Sequence, residues 1–243
     1  KSKTKKQFMT IKGKPVIWFA LNAFQKSMVD EIILVTSKED VDYCKNIIKK
    51  YNLTKVSSII EGGKERYNSV YHGLKETKCD YVLIHDGARP LINQQIIDNC
   101  INGAIKYKAC VAGVPVKDTI KIVDEKGIVI DTPPRNQIWI TQTPQAFEDK
   151  LIREAYENIE RSDNALITDD AMVVEKYGNA KVHFVEGAYE VALFHTRELL
   201  KIDFSVETME KVIFFHDIPE KLVEEKEAEA VAREIIKIEP DNC

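Results

Sequence analysis

Carboxylates, arginines and glycines in this chain gather where short apolar runs stop. Residues 82–92, VLIHDGARPLI, carry Val82, Leu83 and Ile84 straight into His85 and Asp86, with Gly87 and Arg89 close behind. A strand ending there would aim Asp86 into a crevice, let backbone approach closely at Gly87, and leave Arg89 to grip a phosphate through its planar fork. A carboxylate beside phosphates requires a cation, which points to Mg²⁺ held mainly by the oxygens of a substrate. The competing reading of Asp86 and Arg89 is a structural ion pair that caps the strand.

Other polar clusters invite the same comparison. Gly62 and Gly63, in GGKERYNS after SIIE, are either a plain turn or backbone N–H groups presented to a base or phosphate. Lys1, Lys3, Lys5, Lys6, Lys12 and Lys14 crowd the start of the chain, as a solvated face or a phosphate clamp. Thr168, Asp169 and Asp170 read as a helix N-cap with acids favoured by the helix dipole. The five histidines show no ligand spacing, and no Ser-His-Asp or Cys-His arrangement can be built from their order. The five cysteines form no C-x-x-C pair, so neither a zinc site nor a disulfide framework is expected, and a reducing cytoplasm is the expected location.

These residues need strands to carry them. Helical spacing of Ile17, Ala20, Leu21 and Phe24 precedes the β-branched run EIILVT, and the alternation repeats through Val41, Cys44, Ile48 and Tyr51, then KVSSII, Val70 and Leu74, YVLIH, a helix with Ile97, Cys100, Ile101 and Ala104, and ACVAGV. Such alternation predicts α/β architecture with a mostly parallel sheet, whose ligands bind beyond the carboxyl ends of the strands. The rhythm breaks after Pro115: DTIKIVDEKGIVIDTPPRNQIWITQTPQAF reads as short strands around a Glu-Lys-Gly turn and a Pro-Pro break, an antiparallel arm over about 117–143 that suits a dimer contact. Helices are expected from Asp149 to Glu160 and Asp169 to Tyr177, a strand at KVHFVEG, and a solvated amphipathic helix in the tail, where Leu222, Ala228, Val231, Ala232 and Ile235 repeat along one face.

The 243 residues suffice for one large α/β domain, and 44% hydrophobic with 30% charged residues is the profile of a soluble globular protein. Apolar runs fall short of the ~18 residues of a membrane span, so no membrane partner is expected. A net charge of −4 gives no reason to expect nucleic acid.

Taken together, KKQF (5–8), EGGKERYNSV (61–70), VLIHDGARPL (82–91), VPVKDTIK (114–121), PRNQIWITQTPQAF (134–147) and ITDDA (167–171) resemble the 2-C-methyl-D-erythritol 4-phosphate cytidylyltransferases of isoprenoid synthesis, over roughly residues 1–203. The resemblance implies a Rossmann-like nucleotidyltransferase fold, a homodimer joined by the arm, and attack of a sugar-alcohol phosphate on the α-phosphate of CTP, with Mg²⁺ present and pyrophosphate leaving. Lys6 matches a lysine that stabilises the transition-state phosphates. Gly63, Lys64 and Ser69 match the cytosine and ribose pocket, where the family usually carries an acid at the position of Lys64. Asp86 and Arg89 match residues flanking the reacting phosphates; Thr119, Arg135, Thr143 and Thr168 match contacts to the acceptor, some reaching across the dimer, with Arg135 on its phosphate.

Two departures stand out. The family opens with a loop like A-A-G-x-G-x-R-M, which would end just before Lys1, so a segment upstream of Lys1 is expected. An ungapped alignment also sets the family's phosphate-binding lysine on Leu193, which implies an impaired enzyme. Residues 204–243 extend past the resemblance as a helical tail without an assigned role. Two rival readings remain: a ribitol-5-phosphate type of cytidylyltransferase, and a non-catalytic nucleotide- or sugar-phosphate-binding homologue. A dinucleotide oxidoreductase has no G-x-G-x-x-G to support it.

Overall fold

Continuous apolar runs, buried on both faces, set the centre of the sheet, and amphipathic helices cover its two sides. The computed structural model describes residues 5–159, 167–189 and 191, together with the backbone of 211–216. A small hairpin, β1 (Thr10–Ile11) and β2 (Lys14–Pro15), leads into α1 (Val16–Lys26). There follow β3 (Glu31–Thr36), α2 (Val41–Tyr51), β4 (Val56–Glu61), α3 (Arg66–Glu76), β5 (Tyr81–Asp86), α4 (Gln94–Tyr107) and β6 (Ala109–Pro115), close to the expected alternation. Then come β7 (Ile122–Val123), β8 (Val129–Asp131), β9 (Trp139–Glu148), α5 (Asp149–Ile159), α6 (Asp170–Tyr177), β10 (His183–Glu186) and β11 (Lys211–His216).

The main sheet has the order β10-β6-β9-β5-β11-β3-β4. Strands β3, β4, β5, β6 and β10 share one direction, and β9 and β11 run against them. Side chains on β3 and β5 alternate between two cores. Ile32, Leu34 and Leu83 join Ile17, Leu21, Phe24, Ile97 and Ile101 under α1 and α4, whereas Ile33, Val35, Val82 and Ile84 join Val70, Leu74, Phe147, Ile152 and Val173 under α3, α5 and α6. Each fully buried Ile or Leu contributes about 1.5–3 kcal/mol relative to exposure. Because these strands run in one direction, the packed sheet sets the carboxyl ends of β3, β4, β5 and β6 along one edge.

Between Val116 and Trp139 the chain leaves the core as the expected arm. Its paired strands β7 and β8 join through a turn in which the Asp124 carboxylate accepts from the N–H groups of Lys126 and Ile128, and Gly127 takes a φ of 79°. Ile120, Ile122, Val123, Ile128, Val129 and Ile130 are all exposed on it, Ile130 by 67%.

One feature departs from the sequence expectation. Residues 211–216, within the stretch read as a helical tail, form β11 at the centre of the sheet, antiparallel to both β3 and β5. KVIFFH is a β-branched and aromatic run, and backbone pairing with a strand on each side outweighs its neighbourhood of helix-forming residues. The amphipathic helix expected after Pro219 and the position of Leu193 lie outside the described residues.

Candidate active site

Three stretches meet at the carboxyl edge of the sheet, beginning with the loop after β4. Glu65 and Asn68 form a reciprocal capping box at the start of α3, so the helix begins only at Arg66 and leaves residues 62–65 as a tight loop over its N-terminus. The Ser69 hydroxyl accepts a 3.0 Å hydrogen bond from the Gly63 N–H. A Cβ at Gly63 would lie 2.3 Å from Asn68 Cβ, so only glycine fits beneath this turn. Gly63 and Ser69 therefore shape the loop, while Lys64 is exposed at its tip.

The second stretch is the end of β5. Asp86 is buried and projects, by strand alternation, to the α3 face with Val82 and Ile84, whereas His85 turns to the opposite face and packs against Phe24 at 5.3 Å. Arg89 Nε donates to Asp86 Oδ2 at 3.0 Å, so the two make the ion pair that the alternative reading proposed. Thr143, on the neighbouring β9, is buried as well. Its Oγ lies 2.9 Å from His85 Nδ1 and accepts from the Asp86 N–H at 3.3 Å. In this structure Thr143 braces the strand end that carries Asp86.

The third stretch is the turn Lys6–Phe8. Lys5 fastens it to the end of β3 by donating to Ser37 Oγ and pairing with Asp40. Lys14 lies over the Trp18 ring at 3.6 Å, so part of the basic cluster near the start of the chain has a packing role.

Thr168 is exposed immediately before Asp169, which caps α6 through a 2.9 Å bond from the Met172 N–H. Thr119 and Arg135 lie on the arm rather than in the cluster around Asp86. Both are exposed, and Arg135 Nη1 donates to the Lys117 carbonyl at 2.8 Å.

Sequence reasoning missed the network beneath these groups. Arg66 Nη1 donates to Asp170 Oδ1 at 2.8 Å, Nη2 donates to Oδ2, and Tyr156 O–H donates to Oδ1 at 2.6 Å. Burial works against the charged guanidinium, but the charge and hydrogen bonds of Asp170, with smaller contributions from Tyr156 and Asp86, outweigh it and raise the pKa of Arg66. Burial, then the adjacent Asp170 carboxylate, hold the Tyr156 phenol well above its usual range, so it stays a donor. Arg66 and Asp170 both stand inside recognisable motifs, but a pairing over 104 residues leaves no trace in local spacing.

The arrangement offers one carboxylate, flanking cations and a glycine loop over a helix N-terminus, which suits binding and charge stabilisation of phosphates. Comparison with known proteins gives the same direction. The family model described as 2-C-methyl-D-erythritol 4-phosphate cytidylyltransferase matches residues 1–207. Proteins of that name from Lachnoclostridium phytofermentans and Clostridium botulinum strain 657 are 48% and 43% identical, covering 78% and 91% of this chain and 82% and 92% of their own. The crystal structure of 4-diphosphocytidyl-2C-methyl-D-erythritol synthase from Anaerococcus prevotii superposes with a TM-score of 0.70 at 33% identity, covering 80% of this chain and 93% of that one.

Proposed function

The chain belongs to the 2-C-methyl-D-erythritol 4-phosphate cytidylyltransferase family, and from that premise we propose that it transfers a cytidylyl group from CTP to 2-C-methyl-D-erythritol 4-phosphate at the carboxyl end of β5. The acceptor phosphate attacks the α-phosphate of CTP, and pyrophosphate leaves. The observation that carries the reading is the convergence of the Gly63 loop, buried Asp86 with Arg89, and the Lys6 turn on one sheet edge. The loop at 62–65 takes the base and ribose; the turn that carries Lys6, whose amine is buried here, and Arg89, here paired with Asp86, lie on the phosphate side; Thr119, Thr168 and Arg135 serve the acceptor. No side chain acts as a nucleophile, because positioning and charge stabilisation suffice for this transfer.

Mg²⁺ fits this site as a partner of Asp86, a hard oxygen donor at a strand end. Among the described residues no three His, Cys, Asp or Glu groups come together as a metal site, so the ion would draw its other ligands from phosphate oxygens and water. When bound it neutralises phosphate charge. No helix among the described residues is long and apolar enough to cross a membrane.

Measuring pyrophosphate release from CTP tests the reading directly. Turnover with methylerythritol phosphate is expected; a clear preference for ribitol 5-phosphate would overturn the acceptor, and silence with both would favour a non-catalytic homologue. Gly63→Ala is expected to raise the KM for CTP roughly tenfold and leave the acceptor KM nearly unchanged, because the added methyl group displaces the loop from Asn68. Equal effects on both substrates would remove the loop from the nucleotide half of the site.

The arm supports a homodimer. Six exposed aliphatic side chains, four of them on two short strands and two beside them, have no core of their own to fold against, and a second copy would cover them. Light scattering at micromolar concentration is expected to report the dimer mass; a monomer would count decisively against it.

A further inference from the structure

Arg66 and Asp170 stand where the two substrate halves of the site meet. Arg66 opens α3, three residues after Gly63, and Asp170 opens α6, two residues after Thr168. Asp170 is fully buried and the Arg66 side chain is 20% exposed. Gln145, on β9, completes the junction. Its Oε1 accepts from the N–H groups of both Asp170 and Ala171 at 2.9 Å, and its Nε2 donates to Asp169 Oδ2 at 3.1 Å. One side-chain amide thus ties the start of α6 to the sheet, while the guanidinium fork ties it to α3. The fork also fixes direction, since two parallel N–H bonds define the angle between the helix starts as well as their separation.

We propose that Arg66 and Asp170 are positioning residues that hold the nucleotide-side loop at 62–65 and the acceptor-side segment at 167–169 in fixed register, so that both substrates reach the reacting phosphate together. The proposal rests on the functional reading above. Neither residue touches a reacting atom. Their contribution comes through geometry, where a displacement on the order of 1 Å can cost about 10²-fold in rate.

Removing one partner would leave a buried charge unpaired and confuse position with folding, whereas neutral replacement of both partners of a buried pair is often tolerated. The test is therefore Arg66→Met with Asp170→Asn in the full chain, read by thermal melting and by steady-state kinetics with CTP and methylerythritol phosphate each varied. The expected result is a melt within a few degrees of wild type, a raised KM for both substrates, and a fall of about 10²-fold in kcat/KM. A purely structural role predicts instead that activity scales with the folded fraction at unchanged KM values, and that outcome would overturn the proposal. Should the double variant fail to fold, Arg66→Lys decides: it keeps the charge and loses the fork, so a retained melt with wild-type kinetics for both substrates overturns the positioning role. Wild-type protein without turnover would instead bring down the functional reading, and this proposal with it.

Discussion

Asp86→Asn is expected to lower kcat/KM by at least about 10²-fold, equivalent to roughly 2.7 kcal/mol of transition-state stabilisation. The side chain is buried at the end of β5 and is held there from two sides, by Arg89 Nε on its Oδ2 and by Thr143 at its backbone N–H. An asparagine keeps the volume and one oxygen, so the strand end keeps its shape. It loses the charge that would meet a divalent cation on the phosphates, and it leaves the Arg89 guanidinium beside a neutral amide. The measurement is kcat/KM across a Mg²⁺ titration, together with a melting curve. A shift of half-maximal activity to higher Mg²⁺ with a modest change in melt supports the site role. An unchanged Mg²⁺ requirement with only a lowered melt would reduce Asp86 to a structural partner of Arg89.

Arg135→Ala is expected to raise the KM of the acceptor about 10- to 150-fold, the equivalent of one charge-assisted interaction of roughly 1.5–3 kcal/mol, while the KM of CTP stays within about twofold. Arg135 is exposed on the arm and spends one nitrogen on the Lys117 carbonyl, which anchors the guanidinium and leaves it further donors for a phosphate. Steady-state kinetics with each substrate varied in turn measure the split. An acceptor KM equal to that of the wild type would remove Arg135 from the phosphate site.

Much of this was legible along the chain because it depends on local pattern. The runs EIILVT, YVLIH and ACVAGV became β3, β5 and β6, and the helical spacings between them became α2, α3 and α4. The break after Pro115 announced the arm through its turn residues. The reading of Thr168, Asp169 and Asp170 as a helix cap also held, since capping is decided within four residues. What stayed hidden depends on distance through space. Thr143 stands out only through the family resemblance, as an acceptor contact, and its burial against His85 follows from the pairing of β9 with β5. The same is true of the bidentate pair between Arg66 and Asp170. KVIFFH carries a strand signal within an acidic, helix-forming composition, and no local feature says that a strand will lie between β3 and β5.

On the proposed function, the placement of Arg135 and Thr119 on an outlying arm would make catalytic competence a property of concentration. If the arm of one copy completes the acceptor site of another, dilution below the dissociation constant of the pair removes the acceptor's phosphate ligand without unfolding anything, and specific activity falls with enzyme concentration. Lesions then sort into two groups. A chain damaged at Arg135 still offers a sound cluster around Asp86, and a chain damaged at Asp86 still offers a sound arm. Mixed and allowed to exchange, two inactive preparations would form hybrids in which one of the two sites is whole.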